Sequence, residues 1–191
     1  MKLEECPVPV WQNPTEFALF LREIKAREPK RILEIGAFYG GTLWQWTRLK
    51  PQVLVSIDYP VAEASSHHAA VWESRALWAG WPDKGTTFLD LIGLSSDPAI
   101  RDAAEQQGPY DFMFIDGDHS YEGVKQDFVS YLPLLTDDGC MAFHDTVRHE
   151  PGVIAFAQEL KGLYPTIEYF SPDWGAGILL VFPKNSNPQI A

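Results

Sequence analysis

Short apolar runs that stop at a glycine or an acidic residue alternate with stretches of helical spacing along most of the chain. Phe17, Leu21 and Ile24 recur at helical spacing behind Asn13-Pro14, an N-cap followed by proline at the first helical position, and predict a helix over about 14–27. Arg31–Ile35 is apolar enough for a strand ending at Gly36, and Thr42–Arg48 after the glycines suits a helix. The strand pattern returns at Val53–Ile57 (ending at Asp58), Thr86–Ile92, Asp111–Asp116 and Gly139–His144. Between and after these runs, helices are predicted near 62–78, 98–107, 121–132 and 151–163. Such alternation predicts an α/β fold, a Rossmann-like doubly wound parallel sheet covered on both faces.

The carboxyl-terminal stretch breaks the alternation. Thr166–Phe170 and Ala176–Phe182 both read as strands, and only Ser171–Gly175 lies between them. Parallel neighbours need a crossover of roughly a dozen residues or more, so this pair is expected to be antiparallel. Seven strands, parallel except for a closing antiparallel hairpin, depart from the nicotinamide-binding pattern and resemble the class I methyltransferase fold. One domain over 1–191 is expected, with the first ten residues or so and the tail from about 183 loosely attached.

Composition narrows the function classes. Hydrophobic residues make up 46% and charged residues 21%, the balance of a globular domain. The formal net charge of −11 opposes the phosphate contacts that dominate nucleic-acid affinity, so no nucleic-acid partner is expected. Cys6 and Cys140 give neither a disulfide framework nor a cysteine zinc motif. The start lacks a basic stretch followed by an apolar core, and no apolar run approaches the ~20 residues of a membrane span. A cytoplasmic protein with no membrane partner is the expectation.

Glu34-Ile35-Gly36-Ala37-Phe38-Tyr39-Gly40-Gly41 joins the first strand to the helix after it. Glycines there let backbone approach a ligand, and free N–H groups attract an anionic group. A dinucleotide fingerprint wants glycine where this chain has Phe38. The run instead resembles the first motif of S-adenosylmethionine (SAM) dependent methyltransferases, which places Glu34, Gly36 and Gly40 in the cofactor site, with Glu34 and Gly36 against the methionine end. Asp58 ends the second strand near the ~20-residue offset of a carboxylate that accepts ribose hydroxyls, a role shared with nicotinamide sites. Related enzymes often carry Gly-Asp-Ser after the third strand to touch adenine; here Leu94 takes the acidic place and Ser95 is left to serve.

The most specific signal is Phe114-Ile115-Asp116-Gly117-Asp118-His119-Ser120-Tyr121-Glu122-Gly123-Val124 together with Ala142-Phe143-His144-Asp145-Thr146. The pair resembles the cephalosporin hydroxylase-like and macrocin O-methyltransferase-like branch of class I methyltransferases. By that resemblance Asp116 also borders the cofactor, and Asp116, His144 and Asp145 hold a divalent metal, usually magnesium. Neighbouring strand ends would bring these three together beside the topological switch point. His144 stands where the family is commonly acidic, and imidazole suits manganese, zinc, iron or nickel better than magnesium, so the metal's identity stays open. A competing reading has Asp116 capping a turn and His144 as a hydrogen-bonded core histidine. Asp118 and His119 are both candidates for the base that deprotonates an acceptor hydroxyl. His67, His68 and His149 are assigned to solvent or packing.

The resemblance implies a metal-assisted O-methyltransferase that uses SAM on a small hydroxylated acceptor. Trp11 and Gln12, the 60–82 region and the loops near Arg148 and Trp174 are expected to set selectivity. A homo-oligomer is allowed, since a partner subunit could complete the pocket. The alternatives are a non-catalytic SAM-binding module, a nucleotide-dependent enzyme of similar fold, or the oxidative activity in the branch's name, against which no 2-His-1-carboxylate triad is visible in the sequence.

Overall fold

The computed structural model describes residues 6–59 and 68–184. Its strands are β1 (Arg31–Ile35), β2 (Val53–Asp58), β3 (Thr87–Ile92), β4 (Tyr110–Ile115), β5 (Leu135–His144), β6 (Thr166–Tyr169) and β7 (Ile178–Val181). The helices are α1 (Pro14–Arg27), α2 (Gly41–Thr47), α3 (His68–Trp78), α4 (Pro98–Glu105), α5 (Tyr121–Tyr131) and α6 (Pro151–Leu163). All seven strands join one sheet in the order β3-β2-β1-β4-β5-β7-β6. β1 to β5 are parallel, while β7 runs antiparallel to both β5 and β6, as the short connection requires. This is the seven-stranded class I methyltransferase sheet.

Local chemistry explains the boundaries. Asn13 caps α1 by accepting the Thr15 and Glu16 amides, Asp97 caps α4 through the Ala99 amide, and Ser120 caps α5 through the Gly123 amide. β5 begins four residues before the predicted Gly139, because Leu135 pairs with Tyr110 before an irregularity that restores Phe112 opposite Cys140. The expected start of α3 near Ala62 lies outside the described residues.

Two apolar layers cover the sheet. Phe17, Phe20, Trp46 and Phe114 lead one beneath α1 and α2; Phe128, Phe143, Phe156 and Leu160 lead the other beneath α5 and α6. α1 is tied to the closing hairpin by a buried carboxylate, Glu16, which accepts the amides of Ser171, Ala176 and Gly177 at 3.1, 3.2 and 3.3 Å. The winding direction reverses between β1 and β4, and a cleft opens above their carboxyl ends.

Candidate active site

The cleft has a volume of about 720 Å³ and runs from the end of β3 across β2 and β1 to the ends of β4 and β5. Its floor is the turn after β1. Gly36 has φ of 87°, and a Cβ there would stand 1.9 Å from the Asp116 carbonyl oxygen, so glycine is needed for both conformation and close approach. Gly36 thereby locks the β1 turn against the β4 loop.

Two residues expected at the cofactor do not face the cleft. Gly40, with φ of 83°, presses on the Trp78 indole, where a Cβ would lie 2.5 Å from Nε1; it makes room for α3. Glu34 is fully buried beneath the floor, between its strand neighbours Ser56 and Phe114. Neither of its carboxylate oxygens has a hydrogen-bond partner among the described residues. Burial, only partly offset by the adjacent Thr42 and Trp46, pushes its pKa up to about 8, so the resting protein holds it neutral.

Asp58 reaches the cleft but is shared. Its Oδ2 lies 3.1 Å from Arg75, whose guanidinium also grips Asp90 through two bonds of 2.7 and 2.6 Å. Burial raises the Asp58 pKa and Arg75 opposes the rise. Ser95 lines the far end of the cleft, with its hydroxyl 2.5 Å from Asp127 Oδ1.

At the opposite end, β4 and β5 bring charged groups together. His144 Nδ1 lies 3.3 Å from Asp116 Oδ1 and 3.3 Å from Asp145 Oδ2. His119 Nε2 lies 3.3 and 3.5 Å from the same two oxygens, and its Nδ1 is 3.4 Å from Glu150. Ligand atoms of Asp116, His144 and Asp145 all fall within 4.8 Å of one another. Asp145 adopts left-handed backbone, φ of 60°, directly after β5, a conformation tolerated by aspartate and held here by the turn that follows the strand.

The electrostatics of this cluster are strongly coupled. Burial would raise the Asp116 pKa, but the charge of His144 and hydrogen bonding to His119 and His144 outweigh it and hold the carboxylate well below its usual range. Hydrogen bonding to Asp116 pushes His119 up to about 9 against its own desolvation. His144, which burial alone would lower, is driven up to about 10 by Asp116 and Asp145. Both imidazoles are thus pushed toward the protonated form beside these carboxylates, a positive charge that a divalent cation would supply in their place. The imidazole of His144 and the carboxylates of Asp116 and Asp145 fit such a cation, and this donor set suits manganese, iron or zinc better than magnesium.

The predicted trio of Asp116, His144 and Asp145 is therefore brought together. His119 stands beside the two carboxylates, outside the three-ligand grouping. Asp118 lines the same cleft but is exposed and uses Oδ1 to accept the Ser120 amide at 2.8 Å, a local turn at the start of α5. His149 is exposed, and His67 lies outside the described residues. Trp11 and Gln12 do reach the cleft, Gln12 Nε2 donating to Asp116 Oδ2 at 3.1 Å. Arg75, Glu150 and Asp127 were missed. Arg75 and Asp127 sit inside the apolar stripes Val71/Arg75/Trp78 and Val124/Asp127/Phe128/Tyr131, where a charged residue is itself a signal.

A parallel sheet with a reversed hairpin and a cleft at its switch point defines the class I methyltransferase architecture. A family model described as Methyltransferase domain matches residues 33–146, from β1 through the end of β5, and the chain belongs to that family. Three solved structures show how widely the fold is shared. An O-methyltransferase from Bacillus cereus in complex with SAH superposes with a TM-score of 0.63 at 19% identity, over 88% of this chain and 80% of that one. The SAH-bound methyltransferase PaMTH1 from Podospora anserina gives 0.59 at 17%, over 89% and 78%. TomG from Streptomyces achromogenes, an O-methyltransferase of tomaymycin synthesis in complex with SAM, gives 0.57 at 20%, over 88% and 79%. Among curated proteins, the uncharacterized protein y4gI of Sinorhizobium fredii is 25% identical over 179 residues, 91% of this chain. The chain spans only 19% of that relative's length. No helix among the described residues is long and apolar enough to cross a membrane.

Proposed function

We propose that the chain is a SAM-dependent O-methyltransferase acting on a small hydroxylated molecule with the help of a divalent cation. One observation carries the reading: the Gly36 turn and Asp58 line the same cleft as a cluster of two carboxylates and two imidazoles at its other end. When bound, SAM supplies an electrophilic methyl group, and a divalent ion would polarise an acceptor hydroxyl. The family match and the SAM- and SAH-bound relatives support the cofactor assignment.

The chain's own residues divide the work. Asp58 would accept the ribose hydroxyls, with Arg75 holding its carboxylate in place. Asp116, His144 and Asp145 would hold the cation, with Gln12 fixing the second Asp116 oxygen. His119 is the base that the geometry favours over Asp118. Its Nε2 faces the cluster, while Glu150 beside Nδ1 stabilises the proton carried there, leaving Nε2 to take the acceptor's proton. A cation held by Asp116 would take up the carboxylate oxygen that now faces His119 Nε2, which would favour the neutral imidazole. Trp11 and Gln12 border the acceptor end, and the acidic net charge supports a small acceptor over a nucleic acid.

Manganese titration followed by electron paramagnetic resonance, run in parallel with SAM calorimetry, tests this division. The expected result is one manganese site, abolished in Asp145→Ala, with SAM affinity nearly unchanged. Manganese bound equally well by wild type and variant would remove the cation from the account.

A further inference from the structure

We infer that Asp127 is a positioning residue that sets the hydrogen-bonding polarity of Ser95, making the far end of the cleft selective for a 6-amino purine over a 6-oxo purine. The inference rests on the proposed SAM site and concerns how its base is chosen. Ser95 is held from two directions by α5. Tyr131 Oη donates to the Ser95 carbonyl at 2.9 Å, fixing the backbone, and the Ser95 hydroxyl lies 2.5 Å from Asp127 Oδ1.

A carboxylate only accepts, so the single Ser95 hydroxyl proton is committed to Asp127. What Ser95 then offers the cleft is lone pairs. An exocyclic amine such as N6 of adenine can donate to them; the 6-oxo group of hypoxanthine or guanine, itself an acceptor, meets an acceptor and is rejected.

Position supports the assignment. Ser95 lines the cleft after β3, beyond Asp58 at the end of β2, which is where a base lies when its ribose sits on the β2 carboxylate. Leu94, the residue before Ser95, also lines the cleft, is 54% exposed and offers no polar side chain. Asp127 is itself only 3% exposed, does not line the cleft, and has an Oδ2 with no hydrogen-bond partner among the described residues. A Cβ on Gly117, which does line the cleft, would stand 3.6 Å from that oxygen, so Asp127 lies just behind the wall. It acts through Ser95.

Calorimetry at pH 8 with S-adenosylhomocysteine and its inosine (6-oxo) analogue tests the inference. Wild type should prefer the adenosine compound by about tenfold, the worth of one hydrogen bond made against one refused. In Asp127→Asn the amide can donate to Ser95, which frees the hydroxyl proton for the cleft. The preference should then fall to near unity, mainly through tighter binding of the 6-oxo compound, a gain that a merely structural role would not produce. Ser95→Ala keeps Asp127 and removes the group it aims; it should also lose the preference, and it serves if the Asn variant does not fold. Adenosine binding with an undiminished preference in either variant overturns the inference alone. No binding of the adenosine compound to wild type overturns the proposed function and this inference with it.

Discussion

Replacing Glu34 with glutamine should make the protein more stable, and increasingly so as pH rises. The carboxyl is fully buried, Thr42 and Trp46 lie beside it without well-formed hydrogen bonds, and burial outweighs them to move its pKa from 4.5 to about 8. At ~1.4 kcal/mol per pH unit, the folded state penalises the ionised form by roughly 4–5 kcal/mol. The sign follows from proton counts. Between pH 4.5 and 8 the unfolded chain has released this proton while the folded chain retains it, so wild type loses stability as pH rises through that window and keeps the full penalty above it. Glutamine fills nearly the same volume and cannot ionise. Urea unfolding of both proteins in chelator at pH 5, 6, 7 and 8 gives the difference directly, since the other titrating groups are common to both. That difference should grow by about 1.2–1.4 kcal/mol per pH unit and reach roughly 4 kcal/mol near pH 8. A difference that stays flat across the series would show that Glu34 is ionised and partnered in the folded protein, and would refute the reasoning.

Two other perturbations follow from buried charge. Glu16→Ala removes the acceptor for three amides in the loop between β6 and β7, and should cost about 2–4 kcal/mol in a denaturant titration while SAM affinity changes little; a loss below about 0.5 kcal/mol would mean that the loop finds other partners. In the chelated protein, His119 and His144 have folded pKa values raised to about 9 and about 10, so the stability they confer is fully present below pH 6.5 and is lost as pH rises toward 10. Added manganese should lessen that loss in thermal unfolding, and an unchanged pH slope with the ion present would contradict the cluster's role.

The strand and helix sequence was legible because several strands end at glycine or aspartate and α1 begins at the recognisable cap Asn13-Pro14. The closing hairpin followed from chain length alone, five residues being too few to cross over. The convergence of Asp116, His144 and Asp145 was legible for the same reason, since ends of neighbouring parallel strands must meet. Facing was harder to read. A strand-end glutamate gives no sign of whether it turns toward the cleft or the core, and Glu34 turns inward beside Ser56. Gly40 reads as a ligand glycine until Trp78, brought from α3, occupies the space beside it. The contacts of Glu16 with Gly177 and of Ser95 with Asp127 join residues far apart in sequence, so only tertiary packing assembles them. His119 was a candidate base from its motif, but its place beside Asp145 and Glu150 depends on how α5 and α6 meet the ends of β4 and β5.

Calorimetric titration of the purified chain with SAM and, separately, with NADH tests the central claim most directly. The account predicts saturable micromolar-scale SAM binding, weakened by Asp58→Ala by roughly 1–3 kcal/mol through loss of charged hydrogen bonds to the ribose, and no NADH heat. Tight NADH binding with no response to SAM would contradict it.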